Sequence, residues 1–128
     1  MGHRAVVPAN APAPVGPYSP GVINEETRIL YVSGQIPIDP KTGALVGTDV
    51  AAQTKQVLEN VKAILESAGS GMDRVLKTTV YMLDLGEFAH MNDVYAAFFP
   101  GVKPARATVQ VGRLPKDALV EIDAIAAI

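Results

Sequence analysis

The chain has 128 residues, of which 48% are hydrophobic and 19% are charged, and its formal net charge is -2. These values predict one globular domain, residues 1–128, and they argue against intrinsic disorder and against a nucleic-acid partner, which would favour a basic surface. The chain has no cysteine, which excludes thiol chemistry and disulfides, and it has no apolar run long enough to span a membrane, so we expect a cytoplasmic protein.

The first third of the chain predicts a proline-rich lead-in followed by a hairpin. Five prolines between residues 8 and 20 favour an extended, irregular segment over a helix. Within it, Gly16-Pro17-Tyr18-Ser19 places an aromatic hydroxyl in a rigid turn, which favours packing on the domain over a free linker. Residues 22–23 and 28–33 then predict a β-hairpin, and a further short strand over residues 4–7 is left open.

The middle of the chain predicts a helix, a strand and a second helix. Residues 49–68 form an amphipathic pattern at helical spacing, and Thr48 or Asp49 can cap its first turn. Residues 73–83 predict a strand, and residues 85–99 predict the second helix. The apolar stripe of that second helix is interpreted as core packing.

Two strands, residues 105–111 and 119–127, end the chain, and the short connection between them predicts an antiparallel hairpin. Arg106 lies within the first of them, where a guanidinium needs water or acceptors on its own face. Two interpretations stay open. Arg106 forms an ion pair with Glu121 or Asp123 across the hairpin, or it holds a carboxylate ligand by two parallel hydrogen bonds and leaves Glu121 free to orient a water or move a proton.

The element order β-β-α-β-α-β-β predicts an α+β two-layer sandwich, because two helices are too few to cover both faces of such a sheet. The opposite face is then a mixture of apolar and polar side chains, which favours an oligomer interface with polar sites between subunits. Its predicted polar residues are Arg106, Thr108, Gln110, Glu121 and Asp123.

No metal site is predicted from the histidines. His3 and His90 are the only two, and His90 is expected on the surface of the second helix. Asp84, Glu87 and Asp93 lie near His90 in the sequence, but a solvated helix face is the favoured interpretation of this group.

Six segments together resemble the RidA/YjgF imine deaminase family, in the family's order and spacing, from about residue 11 to the C terminus. Each segment is short, and their combination makes the resemblance specific. They are Gly16-Pro17-Tyr18-Ser19, Ser33-Gly34-Gln35-Ile36-Pro37, Gln53-(two residues)-Gln56-(three residues)-Asn60, Lys77-Thr78-Thr79-Val80-Tyr81, Pro104-Ala105-Arg106 and Leu114-Pro115-Lys116-Asp117-(three residues)-Glu121-Ile122.

The resemblance implies a chorismate-mutase-like α+β fold and a homotrimer, with the sheets lining a central barrel, the helices outside and three sites between subunits. It implies hydrolysis of reactive 2-imino acids and their enamine tautomers, such as 2-iminopropanoate and 2-iminobutanoate, to 2-oxo acids and ammonia. Such intermediates leak from pyridoxal-phosphate enzymes, so the implied role is metabolite damage control. The reaction needs no cofactor, and the implied partners are small 2-imino and 2-oxo acids.

Carried over by position, the resemblance implies a role for each site residue. Arg106 would bind the substrate carboxylate with help from the main-chain N–H of Thr108. Glu121 would position the attacking water, and Tyr18 would close the pocket from its rigid turn.

The remaining implied residues would line the pocket. Ser33 and Gly34 would shape one wall, where the Gly34 backbone would bond the imine nitrogen, and Asn92 would line the far side. The chain departs from the family at Thr108, where many members have cysteine, and at Gln110, where the position is often acidic.

A third departure is Pro20, which follows Ser19 where glutamine is usual and would shift the pocket mouth. Three alternatives to the enzyme stay open: a non-catalytic trimer that binds 2-oxo acids, a chaperone-like protein and a translation-inhibiting endoribonuclease. Retention of both Arg106 and Glu121 favours the enzyme over the binding protein. The ribonuclease is disfavoured by the lack of a basic patch and of paired histidines.

Overall fold

The structure is a computed structural model that describes residues 2–128. A mixed sheet of six strands forms one layer, and two helices on the same face form the other. The strands are β1 (His3–Val6), β2 (Gly21–Asn24), β3 (Ile29–Gln35), β4 (Val75–Met82), β5 (Ala105–Gln110) and β6 (Val120–Ala127), and the helices are α1 (Val50–Ser67) and α2 (Phe88–Phe98). The predicted α+β class is confirmed.

β1 is the strand that the sequence left open. It pairs antiparallel with β2, from His3 opposite Asn24 to Val6 opposite Gly21, and it extends the sheet at one edge. The predicted order therefore lacks its first strand, because the observed order is β-β-β-α-β-α-β-β. Only Val6 of this strand is buried, so its sequence carries no strand periodicity that could have decided the matter.

The predicted hairpin of the last two strands is wrong. The order across the sheet is β1-β2-β3-β6-β4-β5, so β4 lies between β5 and β6. β5 runs parallel to β4, and α2 is the crossover that a parallel pair requires. Residues 111–119 then step over the end of β4, where Val111 N–H donates to Met82 O. The step covers about two strand spacings of roughly 5 Å each, which a chain of this length spans easily.

Three polar side chains of β5 lie on the helix-covered face of the sheet, and not on the open face where they were predicted. They pair in register with alternate residues of β4, from Thr78 to Met82, which are buried beneath the helices. Glu121 and Asp123 do lie on the open face, where they pair with Tyr81 and Thr79. The alternation along an edge strand marks two faces but does not reveal which one a helix covers. The three polar side chains of β5 on the helix-covered face are those of Arg106, Thr108 and Gln110.

α1 holds the core together. Of the two predicted caps, Thr48 and Asp49, it is Asp49 that caps the helix, because its side chain accepts a hydrogen bond from Ala52 N–H at 2.8 Å. Asn60 is buried on the same helix and donates to Ile38 O at 2.9 Å, which fixes the preceding loop. Each fully buried aliphatic side chain of α1 contributes about 1.5–3 kcal/mol. These side chains are Val57, Leu58, Val61, Ile64 and Leu65.

Within residues 2–128, neither helix combines the length and the apolar character needed to cross a membrane.

Candidate active site

Arg106 lies in a cradle made by one face of α2. Its Nη1 donates to Asn92 Oδ1 at 2.7 Å. Its Cζ lies 4.7 Å from the ring centroid of Tyr95 and 5.3 Å from that of Phe88. The three α2 residues share a helix face because they are spaced by four and by three positions. The cradle therefore combines one amide acceptor with two rings that attract a cation.

Of the two interpretations left open for Arg106, the ion pair is wrong. Between residues 2 and 128, no carboxylate lies within ion-pair distance of its guanidinium. Glu121 and Asp123 lie on β6, which β4 separates from β5, and their side chains lie on the opposite face of the sheet. The positive charge is oriented by the cradle but is not neutralised within the described chain, and this favours an anionic ligand.

A second group of predicted site residues lies around Gly34. A Cβ built at Gly34 would lie 2.1 Å from Glu121 Oε2, so the carboxylate occupies the space that a side chain would fill. Ser33 Oγ donates to Ser19 O at 2.6 Å and ties the proline-rich lead-in to β3. This bond confirms that the lead-in packs on the domain. Tyr18 is 47% exposed, and with Gly34 it lines a cleft of about 250 Å³.

The surroundings of Glu121 favour its neutral form. Burial raises the pKa of this carboxyl, and the negative charge of Asp123 raises it further. Asp123 is itself held in place, because Oδ1 accepts from Thr79 N–H at 3.2 Å and Oδ2 accepts from the Tyr81 hydroxyl at 3.1 Å. A carboxyl whose pKa is raised accepts a proton more readily than an ordinary glutamate, which suits a general base.

The described chain thus presents two half-sites. The cation half-site contains Arg106, Asn92 and Thr108 at the β5 edge, on the helix-facing side. The acid half-site contains Tyr18, Ser33, Gly34 and Glu121, at β3, β6 and the lead-in. Among the residues that the structure describes, no hydrogen bond or ion pair joins Arg106 to Glu121.

Two residues of the Arg106 cradle, Phe88 and Tyr95, were missed by sequence reasoning, since the apolar stripe of the second helix to which they belong was interpreted as core packing. Their spacing with Asn92 was the available signal. His90 is on the surface, as predicted, where Glu87 Oε2 lies 2.6 Å from its Nδ1 and raises the imidazole pKa. Residues 2–128 contain no group of three acidic or histidine side chains arranged to hold a metal ion.

Comparison with known proteins decides the family. The family model described as Endoribonuclease L-PSP, which represents the RidA/YjgF family, matches residues 8–128. The chain belongs to the RidA/YjgF family. A RutC family protein of Pyrococcus horikoshii is 56% identical over 117 residues, which are 91% of each chain.

Two further RidA/YjgF relatives are informative. The 2-iminobutanoate/2-iminopropanoate deaminase of Salmonella typhimurium is 51% identical over 126 residues, which cover 96% of each chain. The solved structure of Escherichia coli TdcF with bound serine has a TM-score of 0.91 at 41% identity, and the match covers 98% of each chain. The resemblance found in the sequence is therefore confirmed at the level of family and fold.

Replacement of Gly34 by alanine tests whether the acid half-site matters to this RidA/YjgF protein. The new Cβ would displace the Glu121 carboxylate, and a misplacement of about 1 Å in a catalytic group costs roughly 10²-fold in rate. We expect any imine hydrolysis that depends on Glu121 to fall by about that factor in Gly34→Ala, and the chain to stay folded, because the atoms nearest the new Cβ belong to the end of the half-buried Glu121 side chain.

The matched control is Gly101→Ala, where the added Cβ meets nothing within 4 Å. It should retain wild-type activity in the same assay. Equal activities of the two variants would show that the position of Glu121 does not matter.

Proposed function

We propose that the chain acts as a single RidA-like domain that hydrolyses 2-imino acids, such as 2-iminopropanoate and 2-iminobutanoate, to 2-oxo acids and ammonia, without a cofactor. The observation that carries this proposal is the Arg106 guanidinium, which two rings and an amide orient and which has no acidic partner among residues 2–128. The deaminase name of relatives at about half identity supports it. Other relatives carry only the RutC family name, so this support is at family level. A cytoplasmic location stays a prediction.

The two half-sites are proposed to meet between neighbouring copies of the chain in a homotrimer. β5 is an edge strand, so its outer side is available to another chain. The open face carries exposed apolar side chains, including Tyr31 at 50% and Val109 at 40%, which supports its burial against other copies. In this arrangement Arg106 of one copy and Glu121 of the next face the same substrate.

In the proposed reaction Arg106 binds the substrate carboxylate by two parallel hydrogen bonds, and the main-chain N–H of Thr108 adds a third. Ionised Glu121 takes a proton from a water, whose oxygen bonds to the carbon of the protonated imine while the C=N electron pair moves to nitrogen. Glu121 then gives that proton to the amino nitrogen. The C–N bond breaks, and the hydroxyl proton leaves with the ammonia as ammonium.

The other residues are proposed to shape the pocket around this reaction. Asn92 holds the Arg106 guanidinium, and the Gly34 carbonyl accepts from the imine N–H. Ser33 fixes the lead-in through Ser19, which keeps Tyr18 at the pocket mouth. The bound serine of TdcF is a small amino acid, and the carboxylate of such a ligand is the group that Arg106 is proposed to bind.

The test generates 2-iminopropanoate with an amino-acid oxidase, traps it with semicarbazide and measures how the protein reduces the trapped fraction. Faster loss of the imine in proportion to protein concentration is the expected result. Unchanged trapping would reject the deaminase. A parallel titration with pyruvate distinguishes a protein that binds 2-oxo acids without turnover.

The description of the family model gives endoribonuclease as a second candidate activity. The net charge of -2 does not favour an RNA partner. His3 lies on β1 at one edge of the sheet, and His90 lies on α2, which packs near the other edge, so the two histidines do not share a site. Incubation with single-stranded RNA at protein concentrations that saturate imine hydrolysis should leave the RNA intact.

Because the pKa of Glu121 is raised, the acid limb of the pH–activity profile should lie at higher pH than an ordinary glutamate would give. Activity should fall as pH drops through this pKa, because the protonated carboxyl no longer accepts a proton from water. Asp123→Asn removes one cause of the raised pKa and keeps an acceptor for Thr79 N–H, so the acid limb of kcat should move to lower pH.

Tyr81→Phe is the control for this profile, because it removes the hydrogen bond to Asp123 but leaves the charge of Asp123 in place. Its acid limb should stay near that of the wild type. A limb that moves to higher pH in Asp123→Asn would contradict the electrostatic explanation.

A further inference from the structure

Tyr95 connects the Arg106 guanidinium to the buried part of the sheet. Its ring lies 4.7 Å from Arg106 Cζ, and its hydroxyl is hydrogen-bonded to Thr78 Oγ1 at 2.7 Å. Tyr95 is 6% exposed and Thr78 is 1% exposed, so this bond forms away from water. Phe99 also packs against the Tyr95 ring, with 4.7 Å between the centroids. The orientation of the ring is therefore fixed by a hydrogen bond and by packing.

The three residues form a closed set of contacts. Thr78 on β4 is the cross-strand partner of Arg106 on β5, and Tyr95 on α2 touches both. The turn that leads into α2 is held to the same strand, because Leu85 N–H donates to Gln110 Oε1 at 2.9 Å. α2 is therefore fixed to β5 near both Arg106 and Gln110, so the ring has little freedom to move relative to the guanidinium.

The chemistry of this contact suits a cation that must remain available. An aromatic ring attracts a guanidinium through its face but leaves the charge formally unneutralised. A carboxylate in the same place would compete with a ligand for the same N–H groups. Burial raises the pKa of the Tyr95 hydroxyl, so the hydroxyl stays neutral and Tyr95 adds no competing charge. A long side chain that is already ordered loses less conformational freedom when it binds.

We propose that Tyr95, fixed by Thr78, is a positioning residue that presents the Arg106 guanidinium to a substrate carboxylate. Thr78 belongs to the Lys77-Thr78-Thr79-Val80-Tyr81 segment, whose sequence indicated no function beyond the family resemblance. Its hydroxyl is now proposed to fix Tyr95. The inference rests on the carboxylate site of the proposed function, but it does not depend on turnover. It therefore makes its prediction for the binding of a non-reacting ligand.

The experiment compares two ligands by isothermal titration calorimetry: 2-oxobutanoate, which carries a carboxylate, and the neutral 2-oxobutanamide. Tyr95→Leu removes the ring and should raise the Kd for 2-oxobutanoate by about 10-fold, in line with the strength of a partly desolvated cation–π contact. The Kd for 2-oxobutanamide should change by less than about twofold, because no charge is involved. A merely structural role would weaken both ligands together.

Two milder variants test the hydrogen bond and cover the case in which Tyr95→Leu fails to fold. Tyr95→Phe keeps the ring, and Thr78→Val removes the partner of its hydroxyl. Each should weaken 2-oxobutanoate by about threefold, and the double variant should resemble either single one, since both changes break one bond. Phe88→Leu, at a residue that is 38% exposed, should also weaken the carboxylate selectively.

The results separate this inference from the proposed function. A folded Tyr95→Leu protein that binds 2-oxobutanoate as tightly as the wild type would overturn the positioning role and leave the deaminase intact. Equal losses for both ligands would overturn it as well. A wild-type protein that binds neither ligand would reject the carboxylate site, and with it this inference. Selective loss of carboxylate binding without any imine hydrolysis would support positioning and reject the enzyme.

Discussion

Replacement of Arg106 by alanine is expected to lower kcat/KM for 2-iminopropanoate by about 10²- to 10⁴-fold, because it would remove the two charge-assisted hydrogen bonds, of about 1.5–3 kcal/mol each, that are proposed to bind the substrate carboxylate. Semicarbazide trapping at several protein concentrations measures this ratio. Arg106→Lys should fall between the wild type and the alanine variant, since a lysine keeps the charge but not the planar pair of donors.

The proposed oligomer should survive the Arg106→Ala change. Among the described residues the guanidinium bonds to Asn92 and lies against the rings of Phe88 and Tyr95, all on α2 of its own chain, so its loss changes contacts within one subunit. Light scattering coupled to gel filtration reports the molar mass of each variant. Dissociation of Arg106→Ala together with loss of activity would show that Arg106 holds subunits together and would remove the case for a ligand clamp.

The fold could be predicted to a large extent because its strongest determinants are local. The periodicity of residues 50–67 and the cap at Asp49 gave α1, and two helices for one sheet gave the layer arrangement. β1 was left open because residues 3–6 show no strand periodicity and form a strand by pairing with β2. The pairing with β2 makes these residues a strand, and the sequence of residues 3–6 alone carries no sign of that pairing.

The position of Arg106 could not be predicted, for a reason of topology. A short connection normally joins adjacent antiparallel strands, and this rule placed Arg106 beside Glu121. In the structure the segment at residues 111–119 passes over β4, so the two side chains lie on different faces. The family resemblance pointed to Arg106 and Glu121 as site residues, but it could not show that a single chain separates them.

The cradle around Arg106 escaped for a different reason. Phe88 and Tyr95 recur at helical spacing, which is the ordinary pattern of a buried helix face, and Tyr95 is indeed buried. Only the three-dimensional contact with Arg106 reveals that the same rings also hold a cation. A residue that serves both packing and site geometry leaves the sequence signal of packing alone.

Mixing two inactive variants should restore activity if the half-sites come from different copies. Arg106→Ala lacks the cation half-site, and Glu121→Gln lacks the acid half-site, so each alone should be nearly inactive. After subunit exchange at equal concentrations, each site draws its two halves independently. About a quarter of the sites then combine an intact Arg106 with an intact Glu121, and about a quarter of wild-type activity should return.

The control mixture combines Glu121→Gln with Gly34→Ala, which both damage the acid half-site. Every acid half-site in that mixture carries either Glu121→Gln or Gly34→Ala, so activity should stay low although subunits exchange to the same extent. Native mass spectrometry of one tagged variant establishes that mixed oligomers have formed. Mixed oligomers of Arg106→Ala and Glu121→Gln without recovered activity would mean that a site does not combine Arg106 of one copy with Glu121 of another. The separation of the two residues in the single chain would then argue against any shared catalytic role.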